Sequence, residues 1–300
     1  MIYVNHVLYV YHVGHVVSIR QSQEGLAHPW TASMNYACRK VMKLALILLS
    51  VALGTVTLTA QEPPRTVHVF VALADNVNQG IVPVPAKLGN GEDAEHNLYW
   101  GSAFGVKTFF SRSKEWELLA PAQSPKHEVL ERCVFRHRTA NVFVVADAYR
   151  GSQIKQAIVD FLDSASGSST EQIAVKTGSR ALTLDIRGGA KLVAYVGHDG
   201  LMDFQLPVFP RSKNAGSHQA IILACASKQY FTEALRASGA QPLLWTTNLM
   251  APEAYTLKSA LDGWILNEDP EQIRNRAATA YDKYQKCGIK GALRLFATGW

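Results

Sequence analysis

Two reactive side chains, His198 and Cys225, each stand at the end of a short apolar run. The first run, KLVAYVGHDG, covers residues 191–200, and the second, AIILACAS, covers residues 220–227. A thiol becomes a useful nucleophile when a neighbouring imidazole or a helix N-terminus favours its thiolate. A helical pattern follows Cys225 directly, so both conditions could be met. The alternative is structural: a small core cysteine and a hydrogen-bonded strand-end histidine.

The two side chains can cooperate only if the fold brings them together. Short apolar runs alternate with amphipathic stretches over residues 66–300, a pattern typical of a largely parallel sheet with helices on both faces. The predicted strands are VHVFVAL, NVFVVAD, KLVAYVG, AIILAC and PLLWTT. Residues that follow the carboxyl ends of parallel strands meet at one edge of the sheet. The sequence therefore predicts an α/β fold in which His198 and Cys225 converge with Asp75 and Asp147.

Three helices carry boundary signals in the sequence. Ser152 is placed to cap the start of SQIKQAIVDFL, and Gly239 closes the helix FTEALRASG. In DPEQIRNRAATAYDKYQ, Asp269 stands at the N-cap and Pro270 at the first helical position. The stretch 111–138 breaks the alternation of strands and helices, which predicts a small antiparallel hairpin inserted into the sheet.

The N-terminal part of the chain has a different pattern. Residues 42–60 combine a basic start, an apolar run and a small final residue, which is typical of a secretory signal peptide. An uncleaved membrane anchor is the alternative, although roughly 15 apolar or Thr positions are fewer than a bilayer span needs. Residues 1–41 are interpreted as mistranslated upstream sequence, because a secretory signal works from the N-terminus. We expect one domain over residues 61–300, secreted or periplasmic and without stable membrane insertion.

Composition and charge narrow the function classes. The 300 residues are 48% hydrophobic and 18% charged, and the formal net charge of +6 falls to +3 without the first 60 residues. This charge is too small to indicate a nucleic-acid partner, and the sequence has no basic cluster with interleaved aromatics. Cys133, Cys225 and Cys287 follow residue 60, so at least one thiol has no internal disulfide partner. If Cys225 is the nucleophile, only Cys133 and Cys287 could pair.

The two apolar runs resemble those of the caspase-like cysteine peptidases, the group of caspases, legumains, gingipains, separases and CHAT domains. In that group one hydrophobic strand ends in His-Gly, often Gly-His-Gly, and the next ends in Ala-Cys; here they end in VGHDG and LACAS. SGAQPLLWTTNLMAPEAYTLKSALDGWI extends the resemblance, which covers roughly residues 141–287 with VHVFVALADN as the first strand. The resemblance implies a caspase-like three-layer sandwich. It also implies that Cys225 attacks the scissile carbonyl and that His198 protonates the leaving amine.

The resemblance further implies an oxyanion site and a specificity pocket. In the family, the amide of the glycine after the histidine helps to bind the oxyanion, together with the amide of the cysteine. Here Asp199 stands between His198 and Gly200, so the donor would be the amide of Asp199 or of Gly200. The loop after the first strand shapes the specificity pocket in relatives, where Asp75 and Asn76 would suit a basic side chain. Alternatively, Asp75 caps a turn.

Three functions remain open on the sequence. The first is a peptidase that acts on a peptide or protein substrate without a cofactor, and the second is the same fold acting as an inactive binding module. A carboxylate at Asp199 favours the second, because it would oppose an oxyanion. The third is a metal-dependent hydrolase that uses Asp75 and Asp147. Residues 90–95 are rich in oxygen ligands for Ca²⁺, but their spacing favours a solvated loop that leads into a helix.

Overall fold

The computed structural model describes residues 62–119, 125–212 and 218–300. The predictions for residues 1–41 and for the signal peptide at 42–60 lie outside these ranges. Within them, no helix is long and apolar enough to cross a membrane.

Two sheets account for the strands of the described residues. The larger has eight strands in the order β10-β9-β8-β7-β1-β4-β3-β2, and the smaller is the β5-β6 hairpin. The strands are β1 (Arg65–Ala72), β2 (Trp116–Leu118), β3 (Val129–His137), β4 (Val142–Tyr149), β5 (Thr170–Thr177), β6 (Arg180–Arg187), β7 (Leu192–Val196), β8 (Gln219–Leu223), β9 (Gln241–Thr246) and β10 (Phe296–Ala297). The five central strands, which are β9, β8, β7, β1 and β4 in sheet order, are parallel. At the two edges, β10 and the pair β3 and β2 extend the sheet in antiparallel pairs.

Helices cover both faces of the large sheet. They are α1 (Val106–Arg112), α2 (Ile154–Ala165), α3 (Ser227–Ser238), α4 (Ala254–Ile265), α5 (Pro270–Gln285) and α6 (Ile289–Leu295). Side chains of α1, α4, α5 and α6 share one apolar core with the sheet, and those of α2 and α3 share a second core on the opposite face. Both faces of the central strands are therefore buried, which explains their nearly continuous apolar sequences. The predicted α/β fold with helices on both faces is confirmed.

The antiparallel insertion predicted within 111–138 is present as β2 and β3, which pair with each other and join the sheet edge through β4. A second hairpin, β5 and β6, was not predicted. It packs Val175, Leu184 and Ile186 against Val134 and the apolar face of β4. The hairpin therefore covers the part of this sheet face, at β3 and β4, that α2 and α3 do not cover.

The helix boundaries follow local capping chemistry. Asp269 forms a capping box with Gln272 at the start of α5, and Gly239 ends α3 with a left-handed φ of 74°, both as predicted. The predicted cap at Ser152 is wrong. Ser152 lies in the 3-10 turn Gly151–Gln153, and α2 starts only at Ile154 without a side-chain cap.

The C-terminal residues return to the amino end of the parallel strands. β10 pairs antiparallel with β9, so the chain after it runs toward the start of β9. The Trp300 Nε1–H donates to Gln241 Oε1 at 3.1 Å, and the Trp300 ring packs on Trp245 with centroids 5.5 Å apart. The last residue therefore lies at the edge of the sheet opposite the carboxyl ends.

Candidate functional site

His198 and Cys225 follow the ends of two adjacent parallel strands. Val196 of β7 lies opposite Leu223 of β8, and the Gly197 amide donates to the Leu223 carbonyl at 3.2 Å. His198 comes two positions after Val196, and Cys225 comes two positions after Leu223. The predicted convergence at the carboxyl edge therefore holds for these two residues. Their side chains share no hydrogen bond in the described part of the chain.

The turn after β7 requires glycine before the histidine. Gly197 has a φ of 151°, and a Cβ atom there would meet the Ala72 carbonyl oxygen at 2.8 Å. Such a close approach between the ends of β1 and β7 excludes a side chain. The following residue, His198, is 7% exposed, and its carbonyl accepts a hydrogen bond from the Tyr195 hydroxyl at 2.7 Å. Its backbone is therefore held in place at the edge of the sheet.

Asp203 orients the His198 ring. The Asp203 Oδ2 atom lies 2.7 Å from His198 Nε2 and also accepts from the Gly80 amide at 3.0 Å. Because the carboxylate is an acceptor, His198 Nε2 carries the proton of this bond, and Nδ1 is the nitrogen left for proton transfer. The same carboxylate joins the loop after β1 to the histidine. Sequence reasoning missed Asp203, whose only signal is a carboxylate in a turn five residues after His198.

Cys225 is half-buried beside the loop that follows β9. Its Sγ atom accepts from the Met250 amide at 3.4 Å, and the next amide, that of Ala226, donates to the Asn248 carbonyl at 2.9 Å. Burial raises the pKa of the Cys225 thiol, the Met250 amide lowers it, and the charge of Asp199 raises it. The net shift is upward, so the resting side chain is a thiol. The thiolate expected from the sequence has no support in this resting geometry.

Ala226 forms a strained turn between β8 and α3. It has φ 47° and ψ 33°, the left-handed conformation that non-glycine residues seldom adopt, and it is the N-cap of the 12-residue helix α3. The turn is held because Ser227 Oγ donates to the Ile222 carbonyl at 2.9 Å, while the Ser227 amide donates to Thr246 Oγ1 at 3.1 Å. Cys225 thus stands at a helix N-terminus, whose dipole favours negative charge.

Asp199 replaces the glycine expected after the histidine, and it is completely buried. Its Oδ1 atom accepts from the Leu201 amide at 3.0 Å, whereas Oδ2 has no hydrogen-bond partner among the described residues. Burial raises the pKa of Asp199 to about 7, and the charge of Asp203 adds to the rise. A large fraction of the carboxyl is therefore protonated near neutral pH. The amides of Asp199 and Gly200 open the 3-10 turn Gly200–Met202, where N–H groups have no partner within the turn.

Asp75 and Asn76 shape the loop that follows β1. Asp75 is 4% exposed, and its Oδ1 atom accepts from the amides of Val77 and Asn78 at 2.9 and 3.1 Å. The Asn76 side chain bonds both the amide and the carbonyl of Val84, at 3.0 and 2.8 Å. These contacts favour the turn-forming alternative for Asp75. They give no support to a pocket in which its charge selects a basic substrate.

Asp147 lies away from the carboxyl edge, which corrects its prediction as a strand-end residue. It stands within β4, opposite Phe70, and is completely buried. Its two carboxylate oxygens accept from Arg132 at 2.6 and 2.7 Å, and Oδ2 also lies 3.1 Å from His68 Nε2. Burial would raise the pKa of Asp147, but the bonds from Arg132 and His68 outweigh it and hold the pKa below its usual range. Asp147 is part of a buried ion-pair network.

The other candidate ligands are also engaged in structural contacts. In the loop at 90–95, Glu92 pairs with Arg150, and Asp93 Oδ2 lies 2.8 Å from His96 Nδ1. No group of three or more His, Cys, Asp or Glu side chains within the described ranges is arranged to hold a metal ion. The 90–95 loop is therefore held by ion pairs and turns.

The three cysteines of the described chain are free. Burial and the charge of Glu131 raise the pKa of Cys133 to about 12, so this thiol on β3 is unreactive. Cys287 is exposed after α5. The disulfide considered between Cys133 and Cys287 is not formed, and Cys225 is unpaired.

Comparison with known proteins gives no match. Neither a family model, nor a curated protein, nor a solved structure matches the chain. The functional conclusion therefore depends on the residues and the geometry of the carboxyl edge.

Proposed function

We propose that this chain is a caspase-like cysteine peptidase that cleaves peptide bonds with Cys225 as nucleophile and His198 as acid and base. The observation that supports this most is the register of β7 and β8, which gives both residues equivalent positions on adjacent strands. The strained turn at Ala226 adds support, because strained backbone conformations cluster at functional sites. Cys225 also stands directly at the N-terminus of α3.

The proposed reaction starts from the neutral thiol. With Nε2–H bonded to Asp203, Nδ1 of His198 takes the thiol proton as Sγ of Cys225 attacks the substrate carbonyl carbon. The carbonyl oxygen becomes an oxyanion, which in this proposal the amides of Asp199 or Gly200 and of Cys225 bind. His198 then gives its proton to the leaving amine as the C–N bond breaks. Water hydrolyses the thioester, returning one proton to Cys225 and releasing the acid product.

The test is peptide turnover by the full chain, using a broad library of internally quenched peptides. Cys225→Ala and His198→Ala should each lower the rate at least about 100-fold, the usual range for losing an acid–base group. Thr139→Ala and Ser179→Ala are controls, because both residues are exposed and line one cavity at the β3–β4 turn, at the amino end of β4 and opposite the carboxyl edge. Their rates should equal that of the unsubstituted protein. Full turnover by Cys225→Ala would refute the proposal.

A binding module of the same fold is the second candidate. Two observations favour it: the raised pKa of the Cys225 thiol and the buried carboxyl of Asp199 beside the oxyanion amides. Peptide binding without turnover, measured across the same library, would identify this case. The metal-dependent alternative has no supporting observation, because Asp75 and Asp147 bond separate partners in different parts of the fold.

Export is part of the proposal, based on the pattern of residues 42–60. N-terminal sequencing of the exported protein should find a chain that starts near Gln61. An intact chain from Met1 in the cytoplasm would refute it.

A further inference from the structure

A cavity of about 570 Å³ lies between two turns of the fold, the one that joins β3 to β4 and the one that joins β5 to β6. Residues 136–141 of the first turn and residues 177–180 of the second line it, together with Phe143 and Leu182. The volume is in the range of small-molecule sites, roughly 300–1,000 Å³. We call this space the turn cavity. It lies at the amino end of β4, away from the carboxyl edge that carries the candidate site.

The described lining of the turn cavity contains arginine side chains and no carboxylate. Arg136, Arg138 and Arg180 line it, and none of the described lining residues is Asp or Glu. Arg136 Nη2 donates to Glu117 Oε2 at 2.8 Å, which neutralises the charge of Arg136. Arg138 and Arg180 are exposed, and their guanidinium groups form no ion pair or hydrogen bond with other described residues. One uncompensated positive charge therefore remains on each turn.

The other groups of the lining suit a ligand of opposite charge. Thr139, Thr177 and Ser179 carry hydroxyl groups, which can donate hydrogen bonds to an anion. Phe143 is buried and Leu182 is half-buried, so they form an apolar wall. A cleft that combines charges of one sign with an apolar wall concentrates ions of the other sign. Guanidinium groups match phosphate oxygens in geometry and bind them through charge-assisted hydrogen bonds.

We infer that the turn cavity binds a small ligand that carries phosphate or sulfate groups, held by Arg138 from the first turn and Arg180 from the second. Such a ligand ties the β5-β6 hairpin to the ends of β3 and β4. Two uncompensated arginines are too few for a nucleic-acid backbone, which needs a basic stripe or patch. The inference is independent of the proposed peptidase, because the candidate site lies at the other end of the parallel strands.

Binding can be measured by calorimetry on the full chain. The probes are inorganic phosphate and inorganic sulfate at pH 8, with chloride at matched ionic strength as the reference. We expect one saturable site, and the tighter of the two probes assigns the ligand as phosphorylated or sulfated. Arg138→Ala and Arg180→Ala should each weaken binding at least about tenfold, the scale of one hydrogen bond to a charged group. Arg294→Ala is the matched control and should leave binding unchanged, since Arg294 is an exposed arginine on α6.

Hydrogen exchange tests whether one ligand contacts both turns. With the tighter probe bound, exchange should slow in the peptides that cover residues 136–141 and 177–180, and slowing in only one of them would refute the bridging. No binding beyond the chloride reference, or unchanged affinity in both arginine variants, would overturn the inference. Binding of anionic vesicles or an oligonucleotide without affinity for either small probe would also overturn it. The variants should unfold at the temperature of the unsubstituted chain, since substitutions at exposed positions change stability little.

Discussion

Asp199 is a buried carboxyl group with one oxygen that has no hydrogen-bond partner among the described residues. It follows His198 directly, and its charge raises the pKa of Cys225. Ionisation of Asp199 and of Cys225 therefore oppose each other, because each negative charge makes the other more costly in a poorly solvated site. The residue that replaces the expected glycine thus helps to keep the thiol neutral.

Replacing this carboxyl should activate the thiol. In Asp199→Asn the opposing charge is absent, so the pKa of Cys225 should fall and iodoacetamide should label Cys225 faster at pH 8. The measurement is the labelling rate of Cys225 as a function of pH, followed by peptide mapping. Asp163→Asn is the control, since it removes a carboxylate on α2 away from the cysteine. An unchanged profile in Asp199→Asn would show that Asp199 does not act on the thiol.

The same residue should make stability depend on pH. The pKa of Asp199 is about 7 in the folded state against an ordinary value of 3.8, so the folded chain binds more protons between these values. The stability that this residue contributes is therefore highest below about pH 4, falls between pH 4 and pH 7, and is lowest above pH 7. The difference between the two limits is a few kcal/mol at most. Urea unfolding from pH 4 to 8 should show a shallower decline for Asp199→Asn than for the unsubstituted chain. The same dependence of unfolding free energy on pH in both proteins would contradict the raised pKa of Asp199.

Asp203 should act through the orientation of His198. Asp203→Ala removes the acceptor of the Nε2 proton and also the bond to Gly80, so the imidazole loses its fixed orientation. We expect kcat to fall at least about tenfold with a smaller change in KM, while Asp203→Asn, which keeps an acceptor oxygen, should retain more of the rate. Equal losses in Ala and Asn variants would indicate that the charge, and not the hydrogen bond, is what matters.

The sequence predicts the positions of His198 and Cys225 better than the groups that contact them. Both positions are predictable because each residue follows an apolar run, which is a local pattern. Asp203 and Met250 reach the site through loops, and no local pattern encodes which loop will contact which strand end. Asp147 was placed at the carboxyl edge because NVFVVAD reads as a complete strand, whereas β4 continues to Tyr149.

At the scale of the elements, the junction of β8 and α3 combines a strained backbone with the proposed nucleophile. Ala226 has a positive φ of 47°, which costs roughly 1 kcal/mol or more for a residue with a Cβ atom. Ala226→Gly should therefore raise the free energy of unfolding by about 0.5–1 kcal/mol, and Ala226→Val should lower it by more, as urea titration would measure. Ala237→Gly within α3 is the opposite control, since glycine destabilises a helix interior. Destabilisation by Ala226→Gly would contradict the strain.

The elements were predictable where one physical cause dominates. The five central strands are apolar because both of their faces are buried, and the caps at Asp269 and Gly239 depend only on neighbouring residues. The β5-β6 hairpin escaped prediction because its residues are mostly exposed or half-buried, so polar side chains interrupt its apolar pattern. Its position depends on the ion pair of Glu171 with Arg132 of β3, which lies 39 residues away along the chain.

At the scale of the whole molecule, a buried charge network joins β1, β3, β4 and the hairpin. Asp147→Ala would leave Arg132 and His68 buried without their partner, which typically costs about 3–5 kcal/mol. The low pKa of Asp147 in the folded state contributes stability that is present above pH 4 and is lost as the pH falls. Urea unfolding at pH 7 should show the loss, and Glu171→Gln, at the half-exposed end of the network, should lose less. The folded Asp147→Ala variant should still react with iodoacetamide at Cys225 at the rate of the unsubstituted chain.

The position of Trp300 has a practical consequence. Its indole bonds Gln241 at the start of β9, while His198 and Cys225 follow the other ends of the parallel strands. An affinity handle or surface linker attached after Trp300 would extend from the side of the sheet opposite the site. The protein could then be immobilised through a handle that follows Trp300, with the edge that carries His198 and Cys225 facing the solution.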